Sequence, residues 1–166
     1  MTPYYADDAV TIYHGDVEEV LADLDITPGL VLTSPPYNLG GARGTEWSPL
    51  EDGYDGHHDD MPHGDYVAWQ HRVIGRCWQL PADDGAIYYQ HKPIARGNET
   101  RLPFELIPPG IPVRQVITWD RGSGFQRTHV HYVPRYEWIL VCARPAFRIT
   151  TLDVFDLWQI PPDQHN

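Results

Sequence analysis

One short stretch limits what this chain can fold into more than any other, namely residues 30–41, LVLTSPPYNLGG. Its first three residues are apolar without alternation, which predicts a strand covered on both faces of a sheet. Pro35 and Pro36 end that strand, because they fix two φ angles and remove two N–H donors. In open α/β sheets ligands bind at the carboxyl ends of strands, so we expect a binding site at Ser34.

The turn after this strand offers groups that suit a planar amine. The Ser34 hydroxyl and the Pro35 carbonyl can each accept one amine proton, and the Tyr37 ring can stack on a heterocycle. An enzyme that methylates the exocyclic amine of a flipped base must hold that base by contacts of this kind. In a purely structural alternative, the two prolines only end the strand, which is a common role of Pro-Pro at the end of a strand. The full Ser-Pro-Pro-Tyr after an apolar strand favours the catalytic interpretation.

Hydrophobic periodicity along the rest of the chain predicts an α/β domain. A strand over 10–13 and a helix capped by Asp16 precede the central strand, which predicts a parallel strand–helix–strand unit with Asp16 beside Ser34. A role for Asp16 as a helix cap alone is the alternative. The other expected elements are a helix over 65–80, a parallel strand over 86–89, a weaker helix over 99–107, and an antiparallel pair of strands over 113–119 and 136–142. We expect one domain over residues 1–166, with a lid loop over 42–64.

Composition narrows the class of protein. No apolar run approaches the ~18 residues that a membrane helix requires, and the acidic start lacks the pattern of a signal peptide. Cys77 and Cys142 are far apart and form no C-x-x-C pair, which indicates free thiols in a reducing compartment. We therefore expect a cytoplasmic protein without a membrane partner.

The net charge of −11 is unusual for a protein that binds DNA. The charge is unevenly distributed, since residues 1–60 contain 13 Asp and Glu and one Arg, whereas residues 61–166 contain 10 Asp and Glu and 11 Lys and Arg. DNA would have to meet the second half, where Arg121, Arg127 and Arg135 are the candidate contacts.

Two other patterns suggest ligands and are rejected. Histidines occur in two polar segments, at positions 57, 58, 63, 129 and 131. Neither segment contains a closed set of metal ligands, so we predict no metal site. The G-x-G at residues 122–124 does not open a helix, so we do not interpret it as a loop that binds a dinucleotide or adenosylmethionine.

From residue 10 onward, the order of these segments resembles the DNA amino-methyltransferases, which make N4-methylcytosine or N6-methyladenine. The similar segments are IYHGD, TSPPYNLG, GAIYYQHK, VITWDRGSGF, YEWILVCA and DVFDLWQIPP, in the β-type motif order. The resemblance implies an α/β fold of the partial Rossmann-like methyltransferase type, with a mixed, mostly parallel sheet and an antiparallel edge pair. It implies that the catalytic residues are Ser34, Pro35, Pro36 and Tyr37, and that Asp16 and Asn38 bind the cofactor.

The resemblance also implies S-adenosylmethionine as the methyl donor and double-stranded DNA as the partner. The family's F-x-G-x-G segment, which receives the methionine part of this cofactor, does not occur in the sequence. Three cases stay open. The chain is a fragment or split half that a second polypeptide completes, such as a carboxy-terminal complementing chain; or it is a folded but inactive relative; or it binds the cofactor weakly through Asp16 and the catalytic turn, in a homo-oligomer. The first case, a catalytic half of a methyltransferase without independent activity, is the favoured one. A serine at the first motif position favours cytosine N4 over adenine N6 without excluding adenine.

Two alternatives to this function stay open at this point. One is a non-catalytic partner or decoy module of a methyltransferase or restriction-modification system. The other is a methyltransferase that acts on RNA or a small molecule.

Overall fold

The computed structural model describes residues 1–39, 59–96, 98–122, 124 and 129–160 of the chain. The strands are β1 (Tyr5–Ala6), β2 (Thr11–Ile12), β3 (Leu30–Thr33), β4 (Ala86–His91), β5 (Ile94–Arg96), β6 (Glu99–Arg101), β7 (Val113–Asp120), β8 (Tyr136–Ala143) and β9 (Leu157–Gln159). The helices are α1 (Val17–Asp23), α2 (His63–Gln79) and a 3-10 helix (Pro103–Leu106). No helix in these ranges is long and apolar enough to cross a membrane.

A five-stranded mixed sheet in the order β3-β4-β8-β7-β9 organises the fold. β3 and β4 are parallel, as predicted, because the long α2 connection between them leaves room for a crossover. β4 and β7 both pair antiparallel with β8, and β7 pairs parallel with β9. The α/β class, the mixed sheet and the antiparallel pair of β7 and β8 are thus confirmed, while β9 was missed because it has only three residues.

β4 and β8 are buried between two apolar clusters. On one face of the sheet, the cluster includes Tyr66, Ile74, Cys77, Ile87, Tyr89, Leu140 and Cys142. On the other face, the cluster consists of Ala86, Ile117, Ile139, Val141 and Ala143. Continuous apolar sequence in these two strands is therefore explained by cover on both faces. Both cysteines are buried free thiols.

The start of the chain differs from the prediction. β2 pairs with β1 in a separate antiparallel hairpin, and it does not join the five-stranded sheet. The Asp7 carboxylate accepts hydrogen bonds from the N–H groups of Ala9 and Val10 at 2.8 and 2.7 Å, which stabilises the turn of this hairpin. The predicted parallel strand–helix–strand unit was therefore wrong.

Two element boundaries also differ. α2 begins at His63, after Pro62, so Asp65 lies in the first turn and does not cap the helix. Residues 99–107 do not form the predicted weak helix, since β6 and the 3-10 helix occupy them. Pro103 lies at the start of the 3-10 helix, where its missing N–H costs nothing. Of the predicted lid loop, residues 42–58 lie outside the described residues.

The first strand of the sheet is more open than its sequence predicts. β3 pairs with β4 only, among the strands that the structure describes. Leu30 and Leu32 are 49% and 69% exposed, while Val31 and Thr33 are half-buried. Residues two apart point to the same face of a strand, so one face of β3 is apolar and uncovered. The prediction that this strand is covered on both faces was wrong.

Candidate active site

The turn that follows β3 is open to solvent. Ser34 is exposed, and Pro35, Pro36 and Tyr37 are half-buried. The Ser34 and Tyr37 oxygens lie 3.3 Å apart, so the structure brings together the hydroxyl and the ring that the sequence places at the site.

A tyrosine of α2 holds the middle of this turn. The Tyr66 hydroxyl donates to the Pro36 carbonyl at 2.7 Å and lies 3.0 Å from His91 Nε2. It is therefore placed between two acceptors, since His91 Nδ1 faces the Lys92 carbonyl at 2.8 Å and takes the ring hydrogen of a neutral imidazole. The carbonyl that Tyr66 engages belongs to Pro36, so it is not the Pro35 carbonyl that we expect to contact an amine.

The Tyr37 ring is fixed by its neighbours. The ring centroid lies 4.4 Å from that of His91, and Lys92 Nζ lies 5.5 Å from the Tyr37 centroid. Burial lowers the pKa of His91 to about 4, which keeps the imidazole neutral at physiological pH. Burial also lowers the pKa of Lys92, although Glu137 opposes this shift.

A buried carboxylate on β8 holds the Tyr37 hydroxyl. Glu137 is 7% exposed, and its Oε2 accepts from the Tyr37 hydroxyl at 2.9 Å and from Gln90 Nε2 at 2.7 Å. Its Oε1 lies 3.3 Å from Arg121 Nη1. Three donors from three different segments thus converge on one side chain, which satisfies the charge that burial would otherwise leave unpaired.

The far end of the turn is tied to the segment before α2. Asn38 has a φ of +53°, in the left-handed region that asparagine tolerates better than most residues. The N–H groups of Asn38 and Leu39 donate to the Asp59 carboxylate at 2.6 and 3.2 Å, and Asn38 Nδ2 donates to the Met61 carbonyl at 2.9 Å. These bonds fix where the chain leaves the site.

A cleft opens beside the Tyr37 ring. Its lining includes Tyr37, Tyr66, His91, Leu102, Pro103 and Leu106. Flat rings and aliphatic side chains form one part of its wall, and the polar side chains of Asn38, His63, Arg101 and Glu105 form another. An apolar surface with a few polar groups is the usual lining of a ligand pocket. The free volume of about 20 Å³ holds about one water molecule, so a planar heterocycle would enter only if this cleft widened.

The other predicted site residues have the following positions. Asp16 caps α1, accepting from the N–H groups of Glu18 and Glu19 at 2.8 and 3.4 Å, and it is exposed. Because β2 lies outside the main sheet, the structure gives no shared sheet edge for Asp16 and Ser34. Cofactor binding by Asp16 and Asn38 stays a prediction.

The three arginines proposed to contact DNA differ in their surroundings. Arg121 pairs with the buried Glu137, and its side chain is 22% exposed. Arg135 is 58% exposed and donates twice to the Asp120 carboxylate, at 2.7 and 2.8 Å. Arg127 lies outside the described residues. Contacts of all three with DNA stay predictions.

Sequence reasoning missed the residues that support the turn, namely Asp59, Tyr66, Gln90, His91 and Glu137. A signal was present for three of them, since Gln90, His91 and Glu137 are polar residues within strands whose other residues are apolar or aromatic. A buried polar residue in such a strand needs a partner, which marks it as worth explaining. Among the residues that the structure describes, no three His, Cys, Asp or Glu side chains are grouped to hold a metal ion.

Replacement of Tyr66 by Phe is expected to destabilise the protein by roughly 1–3 kcal/mol, because the Pro36 carbonyl loses its hydrogen-bond donor and the buried His91 Nε2 loses its polar neighbour. Urea unfolding followed by far-UV circular dichroism measures this. Tyr5→Phe is the matched control, since the Tyr5 hydroxyl donates to Asp7 on the exposed surface. If Tyr66→Phe lowers the free energy of unfolding by no more than Tyr5→Phe does, the role given to Tyr66 is wrong.

The sheet and the site together define a class of protein. A mixed α/β sheet with Ser-Pro-Pro-Tyr at the carboxyl end of a parallel strand is a partial Rossmann-like methyltransferase fold. The family model described as DNA methylase matches residues 29–166, and the chain therefore belongs to this family of N6 and N4 methyltransferases.

Individual relatives agree with this membership. The type II methyltransferase M.BglII of Bacillus subtilis is 27% identical over 136 residues, which are 78% of this chain and 34% of the relative. This chain thus spans about a third of the length of that protein. Among solved structures, the cytosine-N4-specific PvuII DNA methyltransferase matches with a TM-score of 0.70 at 14% identity, over 99% of this chain and 61% of that one.

A second solved structure gives the same result for the fold. The protein TTHA0409 of Thermus thermophilus, in complex with S-adenosyl-L-methionine, matches with a TM-score of 0.58 at 20% identity. The match covers 89% of this chain and 68% of that one. At these identities the likeness to solved structures establishes the fold alone.

Proposed function

We propose that this chain is the catalytic part of a DNA methyltransferase that acts on the exocyclic amine of a flipped base. The observation that supports this most directly is the geometry of the turn after β3. An exposed Ser34 hydroxyl lies 3.3 Å from the oxygen of Tyr37, whose ring lines an open cleft. A base in the cleft would stack on the Tyr37 ring and direct its amine towards Ser34.

The reaction that these residues support is a direct transfer. The lone pair of an exocyclic amine is conjugated into its ring, which makes the nitrogen a weak nucleophile. Hydrogen bonds from the amine to the Ser34 hydroxyl and the Pro35 carbonyl would favour a more tetrahedral nitrogen and stabilise its developing charge. No covalent intermediate is needed. Burial raises the pKa of Cys142 to about 12, which fits a thiol with no part in the chemistry.

S-adenosylmethionine is the proposed cofactor. Its sulfonium would supply the methyl group and leave as S-adenosylhomocysteine, and the methylated amine would lose one proton to solvent. The described residues fit the base side of such a site, with Asp16 and Asn38 as the proposed cofactor contacts. The uncovered face of β3, with Leu30 and Leu32 exposed, supports the proposal that a second stretch of polypeptide completes the pocket. A carboxy-terminal complementing chain and a second copy of this chain are the two candidates.

Double-stranded DNA is the proposed substrate, and the cytoplasm the proposed location. M.BglII is named a type II methyltransferase, and the PvuII enzyme is named a cytosine-N4-specific DNA methyltransferase. These names support cytosine N4 as the first target to test and adenine N6 as the second. Arg121, Arg127 and Arg135 are the proposed phosphate or base contacts. Arg135 would exchange Asp120 for a phosphate, since its guanidinium is on the surface.

Methyl transfer from labelled S-adenosylmethionine to duplex DNA tests this function, with RNA of the same sequence as the comparison. We expect transfer to DNA and N4-methylcytosine in the hydrolysed product, identified by mass spectrometry. Calorimetric titration with S-adenosylmethionine, alone and with a carboxy-terminal partner, accompanies the assay. If the cofactor binds in neither case, the chain is a non-catalytic partner or decoy module. If transfer favours RNA, the DNA assignment fails.

A further inference from the structure

We infer that Glu137 is a positioning residue that turns the Ser34 hydroxyl so that its oxygen accepts a hydrogen bond from the substrate amine. This inference rests on the proposed function, because it assigns Ser34 as the amine acceptor. It follows from the direction of the hydrogen bonds that link three side chains, Glu137, Tyr37 and Ser34.

The carboxylate end of this chain of hydrogen bonds can only accept. Glu137 Oε2 receives hydrogen bonds from Tyr37 and from Gln90, and Oε1 faces Arg121. An ionised carboxylate has no hydrogen to donate, and charge-assisted bonds of this kind are stronger than neutral ones. The Tyr37 hydroxyl hydrogen is therefore directed at Glu137.

The direction of the second hydrogen bond follows from the first. A phenol has one hydrogen, and that of Tyr37 is bonded to Glu137. In the 3.3 Å contact between the two hydroxyls, Ser34 must then be the donor and Tyr37 the acceptor. With its own hydrogen directed at Tyr37, the exposed Ser34 oxygen presents lone pairs to a ligand.

This polarity matters for the choice of base. An exocyclic amine donates hydrogen bonds, whereas the carbonyl that replaces it in a deaminated base only accepts them. A Ser34 oxygen that presents lone pairs attracts the amine and repels the carbonyl, and a site built around such a contact discriminates strongly between the two. Glu137, which is separated from the substrate by two side chains, would thus contribute to the preference for cytosine over uracil.

Glu137→Gln tests the direction of these hydrogen bonds, because glutamine has nearly the same shape as glutamate. The amide nitrogen of glutamine can donate to the Tyr37 oxygen, after which Tyr37 donates to Ser34 and the Ser34 hydrogen points outward. The readout is binding to single-stranded oligonucleotides of deoxycytidine and of deoxyuridine of equal length, by fluorescence anisotropy at one salt concentration. Single strands need no base flipping, so the contrast reports on the pocket.

We expect the wild-type protein to prefer the deoxycytidine probe by roughly tenfold, and Glu137→Gln to lose most of this preference. If Glu137 only supported the fold, Glu137→Gln would weaken the binding of both probes by the same factor. The matched control is Glu18→Gln, which removes an exposed ion pair with Arg72 and should keep the wild-type ratio. Because Glu137→Gln leaves Arg121 without its carboxylate partner, a second variant, Tyr37→Phe, breaks the chain of hydrogen bonds while keeping the pair of Glu137 and Arg121.

Tyr37→Phe is expected to reduce the preference for deoxycytidine as well. A folded Glu137→Gln or Tyr37→Phe protein with the wild-type ratio would overturn the inference. So would a wild-type protein that transfers methyl groups to DNA but binds both probes equally. In a third outcome, the wild-type protein prefers deoxycytidine, both variants lose this preference, and the wild-type protein transfers no methyl group. This outcome would support the inference about Glu137 and would contradict the proposed catalytic function.

Discussion

Ser34→Ala is expected to reduce methyl transfer to DNA by at least about 100-fold, because a group that stabilises the reacting nitrogen in the transition state is lost. Ser34 is exposed, so the fold should be unaffected. Tyr37→Ala is expected to have an effect of at least the same size, because it removes the stacking ring and breaks the hydrogen bond to Glu137.

Transfer of labelled methyl groups under single-turnover conditions measures both effects, in whichever preparation of the wild-type protein is active. Thr151→Ala is the control, since it removes an exposed hydroxyl between β8 and β9. Circular dichroism and the urea midpoint show whether the fold is kept. Full activity in both Ser34→Ala and Tyr37→Ala would refute the site.

The second large effect concerns acid stability, and it comes from His91. Burial lowers the pKa of this ring to about 4 in the folded protein, from the 6.5 of an exposed histidine. Between these two values the unfolded chain binds a proton that the folded chain does not. Stability therefore rises with pH through this window, and the loss on acidification from pH 7 to below 4 is about 3 kcal/mol from this residue alone.

Urea unfolding at intervals from pH 4 to 7.5 tests this, by comparing the wild-type protein with His91→Gln. We expect the variant to be less stable at pH 7 but to lose less stability on acidification, so that the two curves converge towards pH 4. His14→Gln, at an exposed position, should keep the wild-type slope. Parallel curves for wild type and His91→Gln would mean that the ring titrates normally when folded. Lys92, Glu105 and Glu137 are the charged groups that act on it, and all three are unchanged in the variant.

The part of this site that could be predicted from the sequence is the part that is local in the chain. Residues 34–37 follow one another, and an apolar strand before two prolines indicates their position without knowledge of the rest. The pairing of β3 with β4 was predictable for a related reason, since a long amphipathic helix between two short apolar runs favours a parallel crossover.

The support of the site was not predictable, because it joins distant segments. Tyr37 and Glu137 are 100 residues apart, and no local pattern shows that their oxygens lie 2.9 Å from each other. β2 shows that a local pattern can predict a strand correctly without predicting which strand it pairs with. Its apolar alternation indicated a strand correctly, but a local turn at Asp7 determined its partner, so the predicted place of Asp16 in the sheet was wrong.

The leucines exposed on β3 have a practical consequence for anyone who handles this polypeptide. In the described part of the chain, the outer edge of β3 pairs with no other strand, and its leucines are exposed. Aggregates grow from strand edges of this type. Overproduction is therefore expected to yield inclusion bodies or soluble aggregates unless another polypeptide covers that strand. Co-expression with whatever normally covers it would then raise the yield of monodisperse material before any assay begins.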